Sequence, residues 1–291
     1  MKSSLIKLHI AVFLWGFTGV LGRLIQLNEG LLVWYRMLIT ILTLFIMMRG
    51  KGPIRRLSLP MVIKLMGVGA LVALHWVCFY GSIKYSNVSI ALTCLSSAGL
   101  FTALLEPLIM RRKVIVFEVL LGLLAIAGIY LIFHFDPRYR NGILIGLIAT
   151  ILSVLFTIMN KKLVVKNNSA KEIMLYELTG GWVVLSLLLP FYLSIFPTHY
   201  VFPTLKDWGW LLLMSWLCTV LAMDLSLQAL RKVSAFTQNL TLNLEPVYGI
   251  LLAFVVYKEN KYLTQWFYYG FALILLAVVL QTLRIIKYKR V

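Results

Sequence analysis

Ten apolar runs joined by short polar connections follow one another along the chain, at approximately residues 6–24, 31–48, 61–84, 88–110, 114–133, 142–160, 171–194, 206–230, 234–257 and 264–285. Roughly 20 apolar residues wound as an α-helix cross about 30 Å of hydrocarbon, and a helix satisfies its backbone donors and acceptors internally. The pattern therefore predicts an all-α integral membrane protein with ten transmembrane helices and no soluble domain of any size. The first run has the basic start of a signal peptide. MKSSLIKLHIAVFLWGFTGVLGRLI lacks a clear small-residue cleavage site, however, and is read as a membrane helix retained in the mature protein.

Composition agrees with the pattern. Of 291 residues 61% are hydrophobic and 13% charged, with a mean hydropathy of +0.92; soluble domains carry about 45–50% apolar and about 25% charged residues. A net charge of +18 would suggest nucleic acid in a soluble chain. Here the basic residues lie between apolar runs, so they report topology. With the N-terminus in the cytoplasm, twenty Lys and Arg fall on the inner side, among them Arg49, Lys64, Arg111, Lys161 and Arg231, and seven on the outer side. That bias puts both termini in the cytoplasm and the chain, multi-pass, in the inner (plasma) membrane. Cys78, Cys94 and Cys218 lie in apolar runs without metal-ligand spacing and are read as packing residues.

The two halves repeat. At an offset of 145 residues NVSIALTCLSSAGLFTALLEPLIMRRK lies over KVSAFTQNLTLNLEPVYGILLAFVVYK without a gap, and CFYGSIKYSN over MDLSLQALRK. At an offset of 141, WYRMLI lies over LYELTG, matching Arg36 with Glu177. Five runs per half, an odd number, put the second half into the membrane upside down: a 5+5 inverted repeat, residues 1–137 and 138–291. Secondary transporters use such duplications to build a midplane site with two related gates.

Ten spans, this duplication, about 290 residues, Leu14-Trp15-Gly16 in the first run and Arg36 in the second resemble the drug/metabolite transporter superfamily, in its EamA branch. The resemblance implies a central cavity lined by helices one to four and six to nine, with five and ten peripheral. It also implies export of small metabolites, amino acids foremost, often driven by an ion gradient. The chain departs from the family in helix four, where the usual proline is replaced by Phe101. Pro107 lies further on, so Glu106-Pro107 and Glu245-Pro246 are not repeat equivalents.

An ionisable group at membrane depth costs about 2.5–3.5 kcal/mol on insertion scales and rarely persists without a role. Glu245 is near the middle of the ninth run, and Pro246, which cannot donate a backbone hydrogen bond, predicts a kink there; Pro107 predicts another. Gln238, Asn239, Asn243 and Glu245 make a polar stripe that faces either a cavity or neighbouring helices. Glu245, His75 and Asp224 are candidates for proton or ion coupling, with a neutral His75 bonded to one partner as the other reading. Trp15, Tyr80 and Tyr248, with Gln238, Asn239 and Asn243, are candidates for the substrate cavity. Arg36, Glu177 and Glu106 read as charges at gates or helix ends, Arg36 alternatively as snorkelling to the headgroups.

No Walker motif, HExxH or GxSxG occurs, and the four histidines are scattered. The chain is therefore read as no enzyme, with neither cofactor nor metal. Its expected partners are a small-molecule substrate, the bilayer and protons, with no nucleic acid, as a monomer or dimer. The alternatives are a non-transporting sensor or assembly factor and an intramembrane enzyme.

Overall fold

A computed structural model describes residues 2–49, 57–111, 113–135, 137–164, 169–233, 238, 241–242 and 244–288. Among them the long elements are all helices: α1 (Lys2–Gly16), α2 (Thr18–Leu24), α3 (Glu29–Arg49), α4 (Leu59–Tyr85), α5 (Val88–Leu95), α6 (Ala98–Met110) and α7 (Val116–Phe135). They continue with α8 (Arg140–Val164), α9 (Ala170–Ile195), α10 (Leu205–Leu213), α11 (Ala222–Leu230), α12 (Leu244–Tyr257) and α13 (Gln265–Tyr288). Among the described residues seven helical stretches are long and apolar enough to cross a membrane. Three shorter apolar helices, Val116–Ile132, Leu244–Tyr257 and Gln265–Ala277, fall on the fifth, ninth and tenth apolar runs. Leu187, Phe191, Leu108, Val255 and Ile46 point outward, exposed, as side chains against lipid tails do.

Among the described residues three of the runs are interrupted. The first breaks at Phe17, where the Thr18 hydroxyl donates to the carbonyl of Trp15 at 2.7 Å. The fourth breaks at Ser96 and Ser97, and Ser97 Oγ donates to the Cys94 carbonyl at 2.6 Å. Serine hydroxyls compete for the carbonyls of the preceding turn, which is how they bend a helix. Pro107, the expected kink, lies within α6, which runs on to Met110 before Arg111 turns left-handed at φ 52°. Pro246 lies in α12, and residues 241 and 242 before it are helical too, with residue 243 between them outside the described residues. The eighth run is widened by a π-helical segment, Met214–Leu221, between α10 and α11.

Glycines set the closest crossings. A methyl group on Gly69 of α4 would run into the backbone of Glu177 on α9, and one on Gly181 into Gly69. On α7 and α13 the contact is reciprocal: a methyl on Gly128 meets the carbonyl of Gly270 and Ile274, and one on Gly270 meets the carbonyl of Gly128 and Ile132. Both pairs, Gly128 with Gly270 and Ile132 with Ile274, are the same distance apart in sequence, as a local two-fold axis requires.

Two corners are clamped by charges. Between α4 and α5, Glu259 accepts from the backbone N–H of Val88 at 3.1 Å and of Ser89 at 2.9 Å, and from the Ser89 hydroxyl at 2.6 Å. Arg23 closes the clamp as the ion-pair partner of Glu259 and lies over the Tyr257 ring. After α11, Lys161 donates to the carbonyls of Leu230 at 2.9 Å and Val233 at 2.7 Å.

A charged cavity at the centre of the bundle

Four helical faces converge on one cavity of about 100 Å³. α4 presents Val72, His75, Trp76 and Phe79, and α11 presents Met223, Ser226, Leu227 and Leu230. α8 contributes Ser153, Phe156, Thr157 and Asn160, while Gln238, Leu242 and Glu245 come from the ninth run. Each set repeats at intervals of three or four, the spacing that keeps residues on one face of a helix. Trp15, Thr18, Arg36, Tyr80, Leu95 and Ala98 complete the wall. The cavity reaches the Leu230 corner and includes none of the residues at the Val88 corner. A site of this size holds a few waters or one small polar molecule, and is smaller than the roughly 300–1,000 Å³ of drug-sized pockets.

Arg36 is 2% exposed and built into the protein rather than snorkelling. Its Nε donates to Thr219 Oγ1 at 2.9 Å and its Nη1 to the Tyr80 hydroxyl at 2.6 Å, while the guanidinium carbon sits 3.9 Å from the centre of the Trp76 ring. Tyr80 passes its own proton toward Met214 Sδ at 3.3 Å. The π-helical segment makes this possible. Its extra residue per turn turns Thr219 to Arg36 and leaves the Cys218 carbonyl free for Trp15 Nε1 at 2.9 Å. Five donors on a guanidinium and two of them engaged within the protein leave Nη2, which has no hydrogen bond to a described residue, for a ligand.

Glu245 faces the same space with a carboxylate that makes no ion pair or hydrogen bond to a described residue. It lies near enough to Arg36 for each to feel the other's charge, and the two remain unpaired. Gln238, 6% exposed, also leaves its Oε1 without a partner. The cavity thus carries a positive group held at one wall, the Glu245 carboxylate and the Gln238 amide oxygen, and rings of Trp15, Trp76, Phe79, Tyr80 and Phe156.

Several candidates stand elsewhere. His75 lines the cavity, its Nδ1 held by the Ala149 carbonyl at 2.8 Å and its ring stacked on Phe79. Asp224 is outside: it accepts from Gln228 at 2.9 Å, and Gln228 accepts from Lys7 at 2.6 Å. Tyr248 packs edge-on against Phe13 rather than lining the cavity. Glu106 lies near Glu118, which pairs with Arg284 at 3.3 Å, also away from the cavity. Glu177 is buried to 0% exposure behind the cavity wall. Asn239 and Asn243 lie outside the described residues. The polar residues of α8 were legible only as the i, i+4, i+7 spacing of Ser153, Thr157 and Asn160, which Lys161 beside them obscures.

The family model of EamA-like transporters matches residues 2–134 and again 140–283, two copies that take in nearly the whole chain. A solved crystal structure, titled only as that of a protein, covers 97% of this chain and 97% of its own at a TM-score of 0.67 and 15% identity, which bears on the fold alone. No curated protein matches. Two tandem matches on a helical, membrane-spanning chain decide the identity: this is a multi-pass membrane protein that belongs to the EamA-like transporter family of the drug/metabolite transporter superfamily.

Proposed function

We propose that the chain is a secondary transporter which exports a small zwitterionic metabolite, with amino acids the favoured class, across the inner membrane by alternating access. The observation that carries this reading is the pair of opposite charges on the cavity, Arg36 and Glu245, which do not neutralise one another. A ligand with a carboxylate and an ammonium group would complete both. Arg36 Nη2 takes the carboxylate as a charge-assisted hydrogen bond, and Glu245 with the Gln238 amide oxygen takes the ammonium, with Trp15 and Trp76 as faces for it. The reading includes ten spans, an inverted repeat divided at 137/138, and both termini in the cytoplasm. The cavity then opens toward the end of the bundle that carries Leu230, the inner end, while Glu259 and Arg23 keep the opposite end shut.

Counterflow in proteoliposomes tests it. Vesicles preloaded with a mixture of amino acids and given one labelled amino acid outside are expected to accumulate that label transiently and unaltered, which separates transport from catalysis and from sensing. Glu245→Gln removes the charge facing the ammonium and is expected to abolish accumulation while leaving folded protein. Wild-type counterflow in that variant would remove Glu245 from the substrate site.

A further inference from the structure

Behind the cavity wall α9 carries Glu177, fully buried, with neither carboxylate oxygen hydrogen-bonded. Asn160 of α8, 4% exposed, approaches it without completing a hydrogen bond and leaves its own Oδ1 unsatisfied. Both residues thus present bare acceptors inside the protein. Among the described residues the surroundings bring no cation to it. On α3, Arg36 is engaged by Thr219 and Tyr80, Arg49 lies over Phe45 at 4.6 Å, and Glu29 pairs with Lys84 of α4 at 3.7 Å. On α4, Lys64 is exposed, His75 is held by Ala149, and Cys78 is a half-buried free thiol. On α8, Lys161 and Lys162 donate to backbone carbonyls, and on α11 Asp224 accepts from Gln228. Among the described residues none of these groups, nor Lys171 and Tyr176 on α9 itself, pairs with Glu177.

An ionised carboxylate without partner or water is among the most expensive things a protein can bury, whereas the neutral acid is a hydrogen-bond donor. One proton on Glu177 lets it donate to the Asn160 amide oxygen and satisfies two bare acceptors together. The main cavity stops at Asn160 and does not include Glu177. Resting on the transporter function proposed above, we infer that Glu177 is the proton-binding site of the transport cycle, reached from the substrate cavity through Asn160. The place is apt for coupling. The backbone of Glu177 packs against Gly69, so the residue stands at the crossing of α4 and α9, and a change in its charge bears on how tightly the two helices meet.

The test uses the purified protein in proteoliposomes with a labelled mixture of neutral amino acids. Counterflow without a gradient is measured first, then accumulation under an imposed gradient of one pH unit. Coupled one to one, that gradient sustains about a tenfold concentration ratio. Glu177→Gln, isosteric with the neutral acid, is expected to keep counterflow and lose the tenfold response, whereas Glu245→Gln loses both. A wild-type gradient response in Glu177→Gln overturns the inference and leaves the transporter reading intact. If the wild-type protein shows no counterflow, the proposed function fails, and infrared spectroscopy of the detergent-solubilised protein decides whether Glu177 holds a proton. A carboxylic-acid carbonyl band at neutral pH that is lost in Glu177→Gln supports the site, and its absence overturns it. Asn160→Ala, which keeps the acid and removes its neighbour, is expected to shift that band, and an unmoved band counts against the pair even where Glu177→Gln does not fold.

Discussion

Removing the Tyr80 hydroxyl should be more damaging when Arg36 is present than when it is gone. Tyr80→Phe takes away the acceptor 2.6 Å from Nη1 of a guanidinium that is 2% exposed. Neutral hydrogen bonds between membrane helices average only about 0.6 kcal/mol, but those to charged groups are worth about 1.5–3 kcal/mol. The second figure governs here, because the group left behind is a charge. Arg36→Met removes the charge instead. Thr219 keeps a 3.3 Å contact to the Met214 carbonyl and Tyr80 its 3.3 Å contact to Met214 Sδ, so few groups are stranded. The loss is then mainly the cation–π contact with Trp76 and weakened packing, about 1–2 kcal/mol. In the Arg36→Met background, Tyr80→Phe should cost only about 0.6 kcal/mol. The double-mutant cycle, measured as unfolding free energy in mixed detergent micelles, is expected to give a coupling of about 1–2.5 kcal/mol. If Tyr80→Phe costs the same in both backgrounds, with coupling below about 0.5 kcal/mol, Arg36 is not held by Tyr80 and the cavity wall has been misread.

Three further outcomes follow from particular contacts. Gly128→Ala should push α7 from α13 and cost about 1–3 kcal/mol in the same unfolding assay, whereas Gly67→Ala, which has open space around it, should cost nothing; equal effects would contradict the close crossing. Glu259→Ala strands the backbone N–H groups of Val88 and Ser89 and should cost about 1–3 kcal/mol, while Arg23→Ala, whose side chain is 41% exposed, should cost under about 1 kcal/mol. Trp15→Phe leaves the Cys218 carbonyl without its donor, an expected loss of about 0.5–1.5 kcal/mol, visible also as faster amide exchange at Ala222 and its neighbours if the π-helical segment loosens.

Much of the architecture was written in the one-dimensional pattern, since bilayer thickness turns apolar run length directly into helix length. The cavity was only partly legible. Trp15, Tyr80, His75, Gln238 and Glu245 stood out because each is costly or bulky at membrane depth, and all of them line it. Asp224 stood out for the same reason yet is absorbed by Gln228 and Lys7, neighbours that spacing along the chain does not reveal. Among the described residues, breaks fall at Ser96–Ser97 and in Met214–Leu221, where weak hydroxyl competition and the wider π-helical turn leave little trace in sequence. Arg36 was recognised as unusual but not as buried, because its acceptors lie 44 and 183 residues away.

The two clamped corners carry a consequence for the molecule as a vector. At the offset that overlays the halves, Val88 corresponds to Val233, so one ancestral corner occurs twice. Its copies have been answered with opposite signs: a carboxylate on the amides that open α5, an ammonium on the carbonyls that close α11. Each charge matches the partial charge of the helix end it meets, and exchanging them would set like against like at both. In the inverted arrangement proposed above, a duplication that would otherwise leave the protein indifferent to direction thus has a head and a tail, and loosening one costs something different from loosening the other.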